Sequence, residues 1–263
     1  MFLTREQQKK VDEATPMDDM VIRLMLRKNL SLAELICRVI LTEKDLNVVS
    51  VETQYDASRG GIARGVTLDA IIKDEANRVH NIEVQIDTRG LSPERGRYHA
   101  SILDVECLDT GDDFTDLPET FVIFICDHDP YKMGKKVYWV DRIIRSESGE
   151  IIEDYGDRQH ILYVNGDWRE NDDLGKLMHD FHCAKPEDMY FPLMAERLHL
   201  LKETEVGRME LSGLAAMFVD DERREIVERM LDENLDTALI ARIAKMPIEQ
   251  IDEIAKTKLQ TST

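Results

Sequence analysis

Basic residues are scarce in this sequence. Only 34 Lys and Arg stand against 53 Asp and Glu in 263 residues, a formal net charge of −19. Non-specific binding of nucleic acid through many phosphates needs a basic surface. The overall charge therefore argues against tight non-specific binding of DNA, and says little about a small local site. Cysteine is scarce too: Cys37, Cys107, Cys126 and Cys183 are widely scattered without a CxxC spacing. This argues against a disulfide framework or a cysteine zinc site and points to reduced thiols in a cytoplasmic protein. No stretch approaches the roughly 18 uncharged apolar residues of a membrane span. The N-terminal segment, Met1 to Asp19, is polar and charged, so neither a signal peptide nor an anchor is expected there. Internal repeats and low-complexity linkers are absent as well.

What remains is a globular composition, 43% hydrophobic and 33% charged, in a chain long enough to bury a full core. Apolar residues recur at helical spacing from Asp18 to Leu41. This predicts one helix, or two broken near Asn29-Leu30-Ser31 with Ser31 as the second cap. Strands are expected at Leu46 to Val51, Val66 to Lys73 and Val79 to Asp87, the last two joined by the turn Asp74 to Arg78. A helix follows from about Ser92 to Leu108, capped by Ser92 with Pro93 in its first position. Thr120 to Cys126 reads as a strand buried on both faces. Lys136 to Ile144 and His160 to Asn165 read as two more strands flanking a polar excursion. From about Asp172 the pattern is almost wholly helical, with breaks near Pro186, Gly207 to Gly213, Asn234 and Pro247. The expected organisation is an α/β domain over residues 1–170 and an all-helical region over 171–263.

The chemistry concentrates in the predicted hairpin. With Lys73 facing Val79, paired positions sum to 152, and Asp69 falls opposite Glu83. Leu68, Ala70, Ile72, Ile82, Val84 and Ile86 share the other face. Two like charges directly opposite are destabilising in a purely structural hairpin. A hard divalent cation reverses that, since Mg²⁺ takes one or two carboxylates and completes its shell with water and phosphate oxygens. Basic residues gather locally at Arg59 and Arg64, at Arg89, Arg95 and Arg97, and at Lys132, Lys135 and Lys136. Each such cluster taken alone reads as solvated surface.

Three segments, Val66-Thr67-Leu68-Asp69-Ala70, His80-Asn81-Ile82-Glu83-Val84-Gln85 and Arg97-Tyr98-His99-Ala100-Ser101, resemble signatures of the PD-(D/E)XK nuclease family transposases, or recombination-promoting nucleases. Gly111-Asp112-Asp113-Phe114, Leu117-Pro118 and Phe121 to Asp129 followed by Pro130-Tyr131 continue the match in order, over roughly residues 18 to 168. The resemblance implies a restriction-endonuclease-like core of helix, three strands, helix and strand, and a metal-dependent DNA endonuclease associated with mobile elements. It makes Asp69 and Glu83 the Mg²⁺ (or Mn²⁺) carboxylates, with the Val84 carbonyl and Asp19 as further ligands. Gln85 takes the place where many members have lysine. Arg97 and Tyr98 resemble an Arg-Tyr step that approaches the substrate phosphate. The aromatic-basic pair that follows the first acid in related proteins is replaced here by Met20-Val21-Ile22-Arg23. The alternative expectation is a nuclease-fold protein without catalysis, binding partners through its helical C-terminal region.

Other motifs read as ordinary structure. His179, His182 and Cys183 lack a further ligand at metal spacing. Gly60-Gly61 lacks a phosphate-loop ending, and Ser212-Gly213 lacks a nucleophile-elbow context. Ala238 to Leu259 reads as a packing or oligomerisation hairpin broken at Met246-Pro247, too acidic for a DNA-reading helix-turn-helix.

Overall fold

The computed structural model describes residues 5–56, 67–86, 91–211, 227, 229–231, 235–244 and 246–261. Expectations at Arg59, Gly60, Gly61, Arg64, Val66, Asp87, Arg89, Ser212, Gly213 and Asn234 lie outside the described residues. The chain divides into two compact units, Glu13–Thr204 and Met1–Asp12 together with Glu205–Thr263.

The larger unit is mixed α/β. Helix α1 (Arg5–Glu13) precedes it, and α2 (Asp19–Leu26) and α3 (Leu30–Leu41) open it. The helical stretch is broken as expected, but the second cap is Asn29, whose side-chain oxygen accepts the Leu32 N–H at 3.2 Å. Ser31 lies inside α3 instead. An Asn one residue before the first helical position satisfies an orphan donor there, which a Ser at the second position cannot do. Three antiparallel strands follow, β1 (Val48–Asp56), β2 (Thr67–Asp74) and β3 (Val79–Gln85). β1 runs five residues past its expected end because β2 supplies partners as far as Asp56 opposite Thr67. The connection to β4 (Thr120–Cys126) is α4 (Pro93–Cys107), whose cap Ser92 accepts the Arg95 N–H.

β4 lies parallel to β3 and to β8 (Gln159–Val164), and β5 (Val137–Val140) closes the edge antiparallel to β8. The sheet order is β1-β2-β3-β4-β8-β5. The expected strand at Lys136 to Ile144 is two strands. It is interrupted at Asp141 and Arg142, whose side chains bind His160 and, for Arg142, Asp157 and Gln159. Beyond the interruption β6 (Ile143–Arg145) turns away and pairs with β7 (Ile151–Asp154) in a separate two-stranded sheet. The polar excursion is therefore a hairpin.

Both faces of the central sheet are covered, as the uniformly buried β3 and β4 require. Ile71, Val79, Val122, Phe124, Ile161 and Tyr163 form one cluster with Ala100 and Leu103 of α4. α2 packs on β1, β2 and β3, and α3 on β1. α5 (Asp173–Phe181) and α6 (Pro192–Glu203) pack in turn on α3 and α2. The change to helical structure thus falls near residue 170, while the division into units falls after Thr204. In the smaller unit, helices Thr237–Ala244 and Ile248–Thr261 bury Ile240, Ala244, Ile251 and Ile254 with Val227. Among the described residues no helix is long and apolar enough to cross a membrane.

α4 comes so close to β8 that a Cβ on Gly96 would lie 2.6 Å from the Tyr163 hydroxyl oxygen and 3.3 Å from an Ile161 methyl. Gly96→Ala is therefore expected to destabilise the protein by about 1–3 kcal/mol through overpacking, although alanine is the better helix former. Urea denaturation of the two proteins measures this. Equal or greater stability of the variant would show that α4 is free to shift on the sheet.

Candidate functional site

β2 and β3 keep the expected register from Lys73 opposite Val79 to Ala70 opposite Ile82, and their pairing stops there. Asp69 and Glu83, the next pair, do not face each other across a continuing ladder. Each carboxylate instead takes a backbone N–H from the other strand. Asp69 Oδ2 accepts from Val84 at 3.3 Å, and Glu83 Oε1 accepts from Asp69 at 3.2 Å. The strands have separated, and the carboxylates stand where backbone partners would be. The polar face is also closed to solvent. Asp69 is 6% exposed, Glu83 2% and Asn81 0%.

Two arginines reach this pair. Arg23, on α2, donates from Nη2 to Asp69 Oδ1 at 2.6 Å and to Asp19 Oδ2 at 2.6 Å, with Nε 3.1 Å from Asp69 Oδ1. Arg95, on α4, donates to the Gln85 side-chain oxygen and lies 3.6 Å from Glu83 Oε2. Its Nε donates to His99 Nε2 at 3.3 Å, which places the imidazole proton on Nδ1. That nitrogen faces Glu83 Oε1 at 3.6 Å, and the ring meets Phe124 edge-on. Asn81 donates its amide to Glu83 Oε1 at 3.0 Å.

Asp69, Glu83, Gln85 and Asp19 are thus brought together, with the Val84 backbone against Asp69. Arg97 and Tyr98 are placed differently. Arg97 is exposed on α4, two residues from Arg95 and so on the far side of the helix. Tyr98 is half-buried. The α4 residues that meet the carboxylates are Arg95 and His99, an i,i+4 pair beside the buried Gly96, Ala100 and Leu103. That apolar stripe, phased from the Ser92 cap, is the sequence signal that would have found them. Arg23 carried a signal too, its i,i+4 spacing from Asp19 on an amphipathic helix.

Negative charge is in surplus. Burial pushes the Asp69 carboxyl up to about 8, with the Glu83 and Asp19 carboxylates adding to the rise and Arg23 opposing it. Burial also raises Asp19, against Arg23. Asp19 Oδ1 is buried and takes no N–H or hydroxyl donor among the described residues. No group of three His, Cys, Asp or Glu side chains converges as a metal site among the described residues. The donor set that is present, two buried carboxylate side chains with a half-buried third, is all oxygen and anionic. Such a set fits a hard divalent cation that needs only one or two carboxylates. Compared with models of protein families, with characterised proteins and with solved structures, the chain matches none.

At the other end of the β2–β3 hairpin Asp74 shows the opposite behaviour. Burial raises its carboxyl, but hydrogen bonds from His80 and from the Arg78 backbone and side chain outweigh this and leave it lowered to about 2. The two groups predict opposite pH dependence. In the unfolded chain both titrate near 3.9. Between that value and about 8 the folded state holds on Asp69 a proton the unfolded chain has released, so stability falls as pH rises. Asp74 stabilises above the ordinary aspartate range, and that contribution is lost as pH falls through about 2. In EDTA, Asp69→Asn should flatten the decline toward neutral pH. Asp74→Asn should leave that decline in place and remove stability at neutral pH. Urea denaturation across the pH range checks both, and an unchanged slope in Asp69→Asn would assign the decline to another group.

Proposed function

We propose that this protein is a metal-dependent DNA endonuclease with a restriction-endonuclease-like core. The observation that carries the reading is the pair Asp69 and Glu83, buried where β2 and β3 part and short of positive charge. The order α2–α3, β1–β2–β3, α4, β4 supports it, being the helix, three strands, helix and strand of the family that the motifs resemble. Asp69 and Glu83 would hold a Mg²⁺ or Mn²⁺ ion, with Asp19 and the Val84 carbonyl beside them. When bound, such an ion polarises a phosphoryl oxygen and lowers the pKa of an attacking water. Gln85 brings no charge where many enzymes of that family have lysine. Arg95, bonded to the Gln85 oxygen, supplies the missing cation from the neighbouring helix.

Local basic surface answers the objection from net charge. The turn after β4 begins at Asp127, whose N–H binds the Gln85 carbonyl, and it carries exposed Lys132, Lys135 and Lys136. Asp129 fixes that turn by accepting the N–H groups of Tyr131, Lys132 and Gly134 and the Tyr138 hydroxyl. The exposed lysines supply local positive charge without a basic molecule around them, while Arg97 lies on the far side of α4 from Arg95. One observation favours the second reading, a nuclease fold used only for binding: Arg23 already lies on Asp69.

Nicking of supercoiled plasmid in Mn²⁺ at low salt, abolished by Glu83→Ala, is the expected result. With two or three phosphate contacts, DNA affinity should fall about 10- to 40-fold between roughly 50 and 200 mM salt. Cleavage that survives Glu83→Ala would refute the site. Metal binding without cleavage would support the second reading.

A further inference from the structure

The Arg23 guanidinium has an unusual posture. It does not pair fork to fork with one carboxylate, the strong bidentate mode of arginine. Its Nη2 is shared between Asp19 Oδ2 and Asp69 Oδ1, and Nε falls on that same Asp69 oxygen. The other Asp69 oxygen is held by the Val84 N–H. Arg23 therefore touches two of the three carboxylates, Asp69 and Asp19, while Glu83 has Arg95 at 3.6 Å, and the Arg23 side chain is largely buried. Asp19 Oδ1 remains without an N–H donor.

We propose that Arg23 is an internal counter-ion occupying the divalent-cation position, so that metal binding proceeds by exchange with its guanidinium. This inference rests on the metal-site reading above. Metal and guanidinium compete for one oxygen. Arg23 contacts Asp69 Oδ1 twice, which fills its acceptor sites, and Oδ2 already accepts the Val84 N–H, so a metal that binds through Oδ1 takes the place of the guanidinium. A divalent ion brings two charges where Arg23 brings one and needs no fork geometry. The exchange therefore relieves the surplus of negative charge that Arg23 leaves. Arg23 sits on α2, one turn from Asp19, and its long stem lets the charged head leave Asp69 while the helix stays in place. Arg23 thereby acts as a positioning residue in the metal-free protein, keeping Asp69 and Asp19 together, and sets a threshold for metal.

Two states that exclude each other are linked reciprocally: whatever Arg23 contributes to the metal-free state is subtracted from metal affinity. The test is Mn²⁺ binding measured directly, by electron paramagnetic resonance of the free ion, on wild type, Arg23→Gln, Arg23→Lys and Asp69→Asn. Circular dichroism verifies that each is folded. Arg23→Gln should lose thermal stability in EDTA and bind Mn²⁺ about 5- to 150-fold more tightly than wild type, the usual range of such coupling. Arg23→Lys, with a point charge that reaches the same carboxylates, keeps the fold if glutamine does not, and should fall between the two. Tighter binding in both variants supports the exchange. If Asp69→Asn loses Mn²⁺ while the Arg23 variants bind as wild type or more weakly, the exchange is overturned and the metal site stands. If Asp69→Asn binds as wild type, or wild type binds no Mn²⁺ and neither Arg23 variant gains it, the metal site itself falls.

Discussion

Buried negative charge at the parting of β2 and β3 is the constraint around which the larger unit is arranged. A carboxylate removed from water must be paired, hydrogen-bonded or protonated. Asp69 uses all three routes: Arg23 from α2, the Val84 N–H from β3, and a carboxyl driven toward its neutral form. Glu83 draws on Asn81 in its own strand and the Asp69 N–H, with Arg95 and His99 of α4 nearby. Helices α2 and α4 are thereby tied to this one point, each through an arginine, while their apolar residues bury against the sheet.

The comparison with Asp74 shows that the shortfall is specific to one end of the hairpin. Asp74 is as buried as Asp69, yet it has Arg78 and His80 as direct partners, and Arg78 is itself gripped by both oxygens of Glu43. His80 is stacked on Phe121, and Phe121 on His160, in a ladder across β3, β4 and β8. Two donors converge on one acid, and its proton is easily lost. At the Asp69 end three acids share two arginines, and of the two only Arg23 is in hydrogen-bond contact with any of these acids. The same short hairpin carries a complete ion cluster and an incomplete one. A buried cluster that shifts a carboxyl this far marks a candidate functional site.

Much of this was legible in the residues. The turn Asp74 to Arg78 and the alternation of β2 and β3 give the hairpin register correctly as far as Ala70 and Ile82. Ser92-Pro93 gives the start of α4, and the apolar run from Thr120 gives a doubly buried β4. What alternation could not show is that the ladder ends just before Asp69. Pairing rules assume that backbone binds backbone, and here side chains have taken over that role. Asp141 and Arg142 mislead in a similar way, since their pull toward His160, Asp157 and Gln159 ends β5 within an otherwise continuous strand pattern.

The least legible residue is the one on which the site turns. Arg23 lies where the resemblance breaks down, in Met20-Val21-Ile22-Arg23, and its distance in sequence from Asp69 hides the contact. Yet helix periodicity contains the answer. Val21, Ile22, Leu24 and Met25 are buried, so α2 must press its apolar face on the sheet. Asp19 and Arg23 then fall one turn apart at the margin of that face. A charged pair at the edge of a buried stripe ends at whatever polar group the sheet presents beneath it, and the only carboxylate β2 presents midway along its length is Asp69. The segment Met20-Val21-Ile22-Arg23, where the motif resemblance lapses, is the one that delivers the guanidinium to Asp69.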